Sequence, residues 1–186
     1  MGAKAGISKG DIIAAAAEMA DRDGFDEVTL GAVARALGVK TPSLYHHVDG
    51  LPGLRRDLAM AAAGQIGAVM REAAAVEDPR QALRAIAHAY RSFAAEHPGL
   101  YASMLPAPRP GEDDELYEAL AGPVEAVVPV LAALGVGESE MISTVRIVRS
   151  LLHGFVTIEH DGGFGMPVDI DETFEQLVAS LERLVG

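Results

Sequence analysis

Apolar residues in this chain recur at intervals of three and four, and no stretch shows the strict alternation of a half-buried strand. The pattern predicts about nine helices. The first begins behind Ser8, with Asp11 three residues on in an aspartate version of the capping box, and buries Ile12, Ala16, Met19 and Ala20 before Gly24 stops it and Phe25 packs behind. Thr29 is the N-cap of a short second helix in which Leu30, Val33, Ala34 and Leu37 form one stripe, closed by Gly38. Thr41 then caps a third, with Pro42 in its first turn, where a missing N–H costs nothing. Two short helices around a glycine-containing turn have the spacing of a helix-turn-helix.

Longer helices follow. The fourth spans about residues 51–76. Asp78-Pro79 opens the fifth, with Leu83, Ile86, Ala87, Tyr90, Phe93 and Ala94 along one side. His97-Pro98-Gly99 ends it, and a short sixth covers "LYASML". "PAPRPGEDD" reads as a mobile loop. A seventh helix covers residues 114–134, where Pro123 and Pro129 predict a kink or interruption. The eighth, residues 139–160, carries a broad stripe of Met141, Ile142, Val145, Val148, Leu152, Phe155 and Val156, and a second apolar side of Ile147, Leu151 and Ile158. Beyond the loop "DGGFGMP", the ninth, residues 171–185 with Ile170 before it, holds Ile170, Phe174, Leu177, Val178, Leu181, Leu184 and Val185 within about 120° of the wheel. The predicted architecture is all-α: a three-helix helix-turn-helix domain over residues 1–50 and a larger helical domain over 51–186.

Composition agrees with helices, since alanine is abundant and aromatics are few. The absence of cysteine excludes disulfides and thiolate metal sites. "MGAKAGISKGD" lacks the apolar core of a signal peptide, and the longest uncharged apolar run, Leu58–Met70, has 13 residues, so a soluble cytoplasmic protein with no membrane partner is expected. The net charge of −12 argues against a nucleic-acid coat, but its distribution changes that picture. Residues 1–56 carry seven Lys/Arg and seven Asp/Glu, and the remainder carries eight against twenty. A neutral head precedes an acidic body, so any DNA contact falls in the first fifty residues or so.

That head contains "KTPSLYHHV", residues 40–48. On a helical wheel Leu44 and Val48 turn inward, and Thr41, Pro42, Ser43, Tyr45 and His46 face outward with His47 on the flank. The face mixes donors, acceptors, an aromatic ring and methylenes, carries no carboxylate, and suits base edges and phosphates in a major groove; an exposed helix with a chance polar face is the alternative. Adjacent His46 and His47 diverge by about 100° and cannot chelate one ion, so neither a metal nor a cofactor is expected. There is no phosphate-binding glycine loop and no GxSxG nucleophile turn, so an enzyme is not expected either.

Residues 8–54 resemble the N-terminal domain of tetracycline-repressor-like (TetR/AcrR-type) transcriptional regulators. The string "AAAAEMADRDGFDEVTLGAVARALGVKTPSLYHHVDGLPGL" has the family's G-F-x-x-x-T lead-in to the second helix, its A-x-x-L-G-V turn and its L-Y-x-H-[FV] recognition helix. The resemblance implies a dimeric, ligand-responsive regulator, in the usual case a repressor that a small molecule releases from a palindromic operator; a helical carrier or enzyme is the alternative. It makes Thr41, Pro42, Ser43, Tyr45, His46 and His47 the DNA-facing positions. Lys9, Thr29 and Lys40 complete the set, with the two lysines on phosphates. Where the family has a phosphate-contacting lysine, this chain has Leu51, and Arg55 or Arg56 is the nearest substitute. After Thr29 come Leu30, Gly31 and Ala32, so readout from the second helix is thin.

"HPGLYASML" and "RSLLHGFVTIEHDGGFGMPVDIDETFEQLV" resemble segments of the family's C-terminal domain, the second a W-H-G subtype with Leu152 in place of tryptophan. They imply a domain that dimerises and encloses a ligand pocket. Tyr90, Phe93, His97, Tyr101, Met104 and Tyr117 are pocket candidates, although plain core packing is the usual role of methionine and aromatic residues at helical spacing. Arg146, Ser150, His153 and Thr157 form a polar strip on the eighth helix, and Arg146, Arg149 and His153 suit a ligand with an anionic or acceptor group. Ile147, Leu151, Ile158, Phe174, Leu177 and Leu181 are the candidate dimer contacts, in a bundle of two helices from each copy.

Overall fold

A computed structural model describes residues 6–105, 108, 109 and 111–185. It is all-α, with no strand among the described residues. Eight α-helices run in chain order as α1 (Lys9–Asp23), α2 (Leu30–Ala36), α3 (Gly50–Ala73), α4 (Pro79–Glu96), α5 (Pro98–Ser103), α6 (Asp114–Ala133), α7 (Glu138–His160) and α8 (Ile170–Val185), with 3-10 helices at Phe25–Glu27 and Thr41–His46. Residues 1–5 and Pro106, Ala107 and Pro110, on which parts of the signal-peptide and loop expectations rest, lie outside the described residues.

Two compact units form, and each is assembled from separated segments. The first comprises residues 1–62 and 97–120. In it Ser8 Oγ accepts the Asp11 N–H at 3.2 Å and Asp11 Oδ2 accepts the Ser8 N–H at 2.8 Å, so the capping box is complete. Ile12, Ala16, Val28, Val33, Leu44, Leu54 and Leu58 are its buried centre. Near the end of α1, α5 packs directly on the α1 backbone through Gly99, while Asp21 Oδ1 accepts the Leu100 N–H at 2.9 Å and Asp21 Oδ2 holds His97 Nδ1 at 2.9 Å. Asp21 thereby satisfies an N–H in the first turn of α5 from a different helix.

The second unit comprises residues 63–96 and 121–186. Here α4, α7 and α8 pack on one another around Leu83, Ile86, Leu152, Phe155, Phe174 and Leu181. The Phe155 and Phe174 rings lie 5.0 Å apart, and the Arg91 guanidinium sits 4.7 Å from the Phe174 centroid while pairing with Glu159 and Asp171. Arg84 bridges α4 to Glu175 and Glu182 of α8. Gly67 of α3 and Gly122 of α6 bring two backbones close, since a Cβ on Gly67 would lie 3.1 Å from the Gly122 carbonyl carbon.

Two local expectations change. Pro123 and Pro129 do not interrupt α6, which runs unbroken through both. Each proline removes only one N–H, leaving the carbonyls of Ala119 and Glu125 without their helical donors, and the other bonds carry the helix across. Two helices, α6 and α7, are long and apolar enough by length and composition to cross a membrane. Neither helix is one uncharged run, because charges such as Glu125, Arg146 and Arg149 interrupt their apolar residues.

Candidate nucleic-acid interface

The head is built by a sharp stop after α2. Gly38 has φ +67°, the Val39 N–H reaches Ala34 O at 2.9 Å and the Gly38 N–H reaches Arg35 O at 3.1 Å, a Schellman-type end that favours glycine. The chain then extends through Lys40 and winds Thr41–His46 as a 3-10 helix with Pro42 in its first turn. Thr41 is therefore not a cap: Lys40 occupies that position, and its carbonyl accepts the Ser43 N–H at 2.9 Å in an i to i+3 bond. In a 3-10 helix side chains recur every third residue, so Pro42 and Tyr45 fall in one column and Ser43 and His46 in another. Leu44 and Val48 are buried. Lys40, Pro42, Tyr45 and His46 are exposed, Tyr45 by 59%, while Thr41, Ser43 and His47 are half-buried. The outward face carries no carboxylate between Thr29 and Asp49.

Other candidates are engaged elsewhere. Thr29 Oγ1 accepts the Ala32 N–H at 3.2 Å and caps α2. Lys9 Nζ lies 2.7 Å from Oδ1 of Asp57, a carboxylate only 7% exposed, so it ties α1 to α3. Arg56 is bound by Asp113, at 2.8 Å from its Nη2, and by Glu115, at 2.7 Å. Those carboxylates raise the Arg56 pKa, and the Arg56 guanidinium with the Leu116 N–H holds the Asp113 carboxyl down at about 2. Arg55 lies over the Phe25 ring at 5.0 Å, with Asp26 at 3.8 Å from its Nη2.

The ligand candidates divide between the units. Tyr90, Phe93, Arg146, Arg149 and His153 belong to one, and His97, Tyr101, Met104 and Tyr117 to the other. Tyr90, Phe93, Tyr101 and Met104 are buried; Tyr117, Arg146 and Arg149 are exposed. His153 is half-buried, 3.5 Å from Thr157 Oγ1, and burial, with Arg149 adding to it, lowers its pKa below the ordinary histidine value. Sequence reasoning missed an open groove of about 350 Å³ in the second unit, between the end of α3, the start of α4 and α6, walled by Ala74, Ala82, Ala126, Pro129 and Val130 with Arg71 beside them. Alanine walls carry no chemical signature, so no pattern marks them.

Among the dimer candidates, Ile147, Leu151 and Ile158 are exposed by 44%, 41% and 45% and Leu177 is half-buried. Phe174 and Leu181 are fully buried against their own chain and offer no surface to a second copy, because this edge of the α8 stripe faces α4 and α7. Ile142, expected on the core stripe of α7, is 68% exposed.

Residues 12–47 match "Bacterial regulatory proteins, tetR family", and residues 83–181 match "Tetracyclin repressor-like, C-terminal domain". The chain is 34% identical over 175 residues to the HTH-type transcriptional regulator Rv0681 of Mycobacterium tuberculosis, covering 94% of this chain and 80% of that one. A solved structure of a protein with unknown function from Rhodococcus sp. RHA1 shares the fold, with a TM-score of 0.82 at 24% identity over 98% of this chain and 97% of that one. A TetR variant from Acinetobacter baumannii in complex with minocycline superposes with a TM-score of 0.69 at 25% identity, covering 97% and 99% of the two chains. Since the matched C-terminal domain spans over half of the chain and the matched head contains the helix-turn-helix built above, the chain belongs to the tetracycline-repressor-like family and is a ligand-responsive transcriptional regulator.

Proposed function

We propose that this regulator is a cytoplasmic repressor that binds a near-palindromic operator as a homodimer and leaves it when a small molecule binds the C-terminal helices. The observation that carries the DNA contact is the outward face of the 3-10 helix, where Pro42, Tyr45 and His46 stand exposed beside Lys40 with no carboxylate among them. His46 and Tyr45 reach base edges; Lys40 reaches phosphate. Two such faces must be held about one DNA turn apart, ~34–36 Å, which requires a second copy. The exposed apolar side of α7 supplies a surface for that copy. An effector shifts the equilibrium only through different affinity for the free and DNA-bound states, and α3, a single helix belonging to both units, is the element through which the two can communicate. The minocycline complex of the Acinetobacter baumannii relative supports a small-molecule effector as a class.

Binding to inverted-repeat DNA, measured by fluorescence anisotropy across salt, tests the reading. His46→Ala should relax base preference by about 1–3 kcal/mol. Lys40→Ala should weaken all sequences alike and lower the salt slope by about one. Equal discrimination among operator variants by His46→Ala and the parent would remove His46 from the base-reading set.

A further inference from the structure

The groove between the end of α3, the start of α4 and α6 lies wholly within the second unit, and none of the ligand candidates drawn from the sequence lines it. At about 350 Å³ it stands at the small end of ligand sites, which run ~300–1,000 Å³. Ala82, Ala126 and Val130 are buried at its base. Val76, 45% exposed, rises beside them with the exposed Pro129 and Ala133, so the walls are apolar as well.

The polar groups of the lining are acceptors and anions. Glu77 and Glu125 are both exposed, and neither has an ion-pair partner among the described residues. Two main-chain carbonyls join them. At the end of α3 the Ala75 N–H turns to Glu72 O at 3.1 Å, which leaves the Arg71 carbonyl without its i+4 donor. In α6, Pro129 has no N–H to give the Glu125 carbonyl, and Pro129 itself lines the groove. The last turn of a helix also carries a partial negative charge that favours cations, and α3 brings that end to the groove at Ala74, Ala75 and Val76. Arg71 is the one cation in the lining. Its guanidinium reaches back a turn, with Nη1 3.2 Å from where a Cβ on Gly67 would stand, and so is drawn away from the α3 terminus. Water serves such acceptors anywhere on a surface. Here they border an apolar floor, and a molecule that covers the floor must bring N–H donors and positive charge in place of that water.

We infer that this groove binds a small apolar amine, with its hydrocarbon on Ala82, Ala126, Pro129 and Val130 and its ammonium among Glu77, Glu125 and the carbonyl end of α3. The site does not depend on the operator reading above. A carboxylate in the same place would face two like charges and the negative end of α3, and a neutral alcohol would forgo the ion pairing.

Three probes of one shape separate these cases: phenylbutylamine, phenylbutanol and phenylbutyrate, titrated at neutral pH into the full chain by calorimetry, with the contacted residues located from amide NMR shifts. The amine should bind at least about tenfold more tightly than the alcohol, since its hydrogen bonds are charge-assisted, and phenylbutyrate should bind more weakly than either. Shifts should centre on Ala74, Ala75, Ala126 and Ala133. Glu125→Gln, at an exposed position the fold does not need, should weaken the amine about three- to fivefold and leave the alcohol unchanged, the upper range for an exposed ion pair. Glu172→Gln removes the same charge from an exposed position on α8 and should change nothing. Ala133→Phe, which fills the groove from its exposed wall, should weaken amine and alcohol alike. Phenylbutyrate binding as tightly as the amine would overturn the inference, because Arg71 would then set the preference. Equal losses in Glu125→Gln and Glu172→Gln would also overturn it, as the general attraction of an acidic protein for any cation. So would shifts centred away from the groove, or no saturable binding of the amine at millimolar concentration.

Discussion

Replacing Gly99 by alanine probes the contact between α5 and α1. A Cβ there would fall inside the van der Waals surface of the Ala20 carbonyl and 2.6 Å from the Asp21 amide nitrogen. These are main-chain atoms of α1 and cannot rotate away. Restoring the shortest ordinary separation of 3.4 Å from that nitrogen alone requires a shift of at least 0.8 Å, the difference between 3.4 and 2.6. The same movement would stretch the Leu100 N–H···Asp21 bond from 2.9 Å to about 3.7 Å, beyond hydrogen-bonding distance. Overpacking costs ~1–3 kcal/mol and a lost bond to a charged acceptor ~1.5–3 kcal/mol. The two are not additive, since the shift that relieves one breaks the other, so the expected loss is about 2–4 kcal/mol. For a chain of this size that lowers Tm by about 5–15 °C in a circular dichroism melt. Asp21→Ala removes this bond, and the His97 contact with it, without introducing the clash. The double variant should lose less than the sum of the two singles, because the Leu100 bond is already gone. A Gly99→Ala protein melting within a degree or two of the parent would refute the close backbone contact.

Two further outcomes follow from other sites. The Asp113 carboxyl is held at about 2, below its ordinary 3.8, by Arg56 and then the Leu116 N–H; a depressed folded pKa stabilises above the ordinary value and loses that stabilisation as pH falls from about 4 through 2. Arg56→Met should therefore be less stable than the parent near neutrality, by a gap that closes across that window in denaturant titrations; a gap independent of pH would show that the pair does not form. In α3, where a Cβ on Gly64 would meet nothing within 4 Å, Gly64→Ala should stabilise by about 0.5–1 kcal/mol with an unchanged denaturant slope, and a loss of stability would refute the open position.

What the sequence reveals is governed by range. Ser8, Asp11, Thr29 and Gly38 act on residues within a turn or so of themselves, and the helix ends they predict are the ones found. The 3-10 form of Thr41–His46 was not legible, because over six residues periods of 3.0 and 3.6 drift too little to separate. Leu44 and Val48 turn inward either way, since the Val48 N–H still reaches Leu44 O. The α8 stripe showed which residues are apolar and not which edge meets α4, so Phe174 and Leu181 were indistinguishable from Leu177. Charges were hardest to place. Arg56 finds Asp113 57 residues away, and His97 finds Asp21 at a separation of 76; no local pattern encodes such pairs. The head's cations accordingly change meaning. Lys9 is tied to Asp57, Arg22 to Asp23 and Arg56 to Asp113, and Arg55 lies over Phe25 near Asp26. Among the described residues before α3, Arg35 and Lys40 remain without a carboxylate partner, and Lys40 directly precedes the face of Pro42, Tyr45 and His46. In a chain of net charge −12 whose first 56 residues balance seven Lys/Arg against seven Asp/Glu, an unpaired lysine directly before an exposed, carboxylate-free face is a local feature that neither net charge nor the charge of the head reveals.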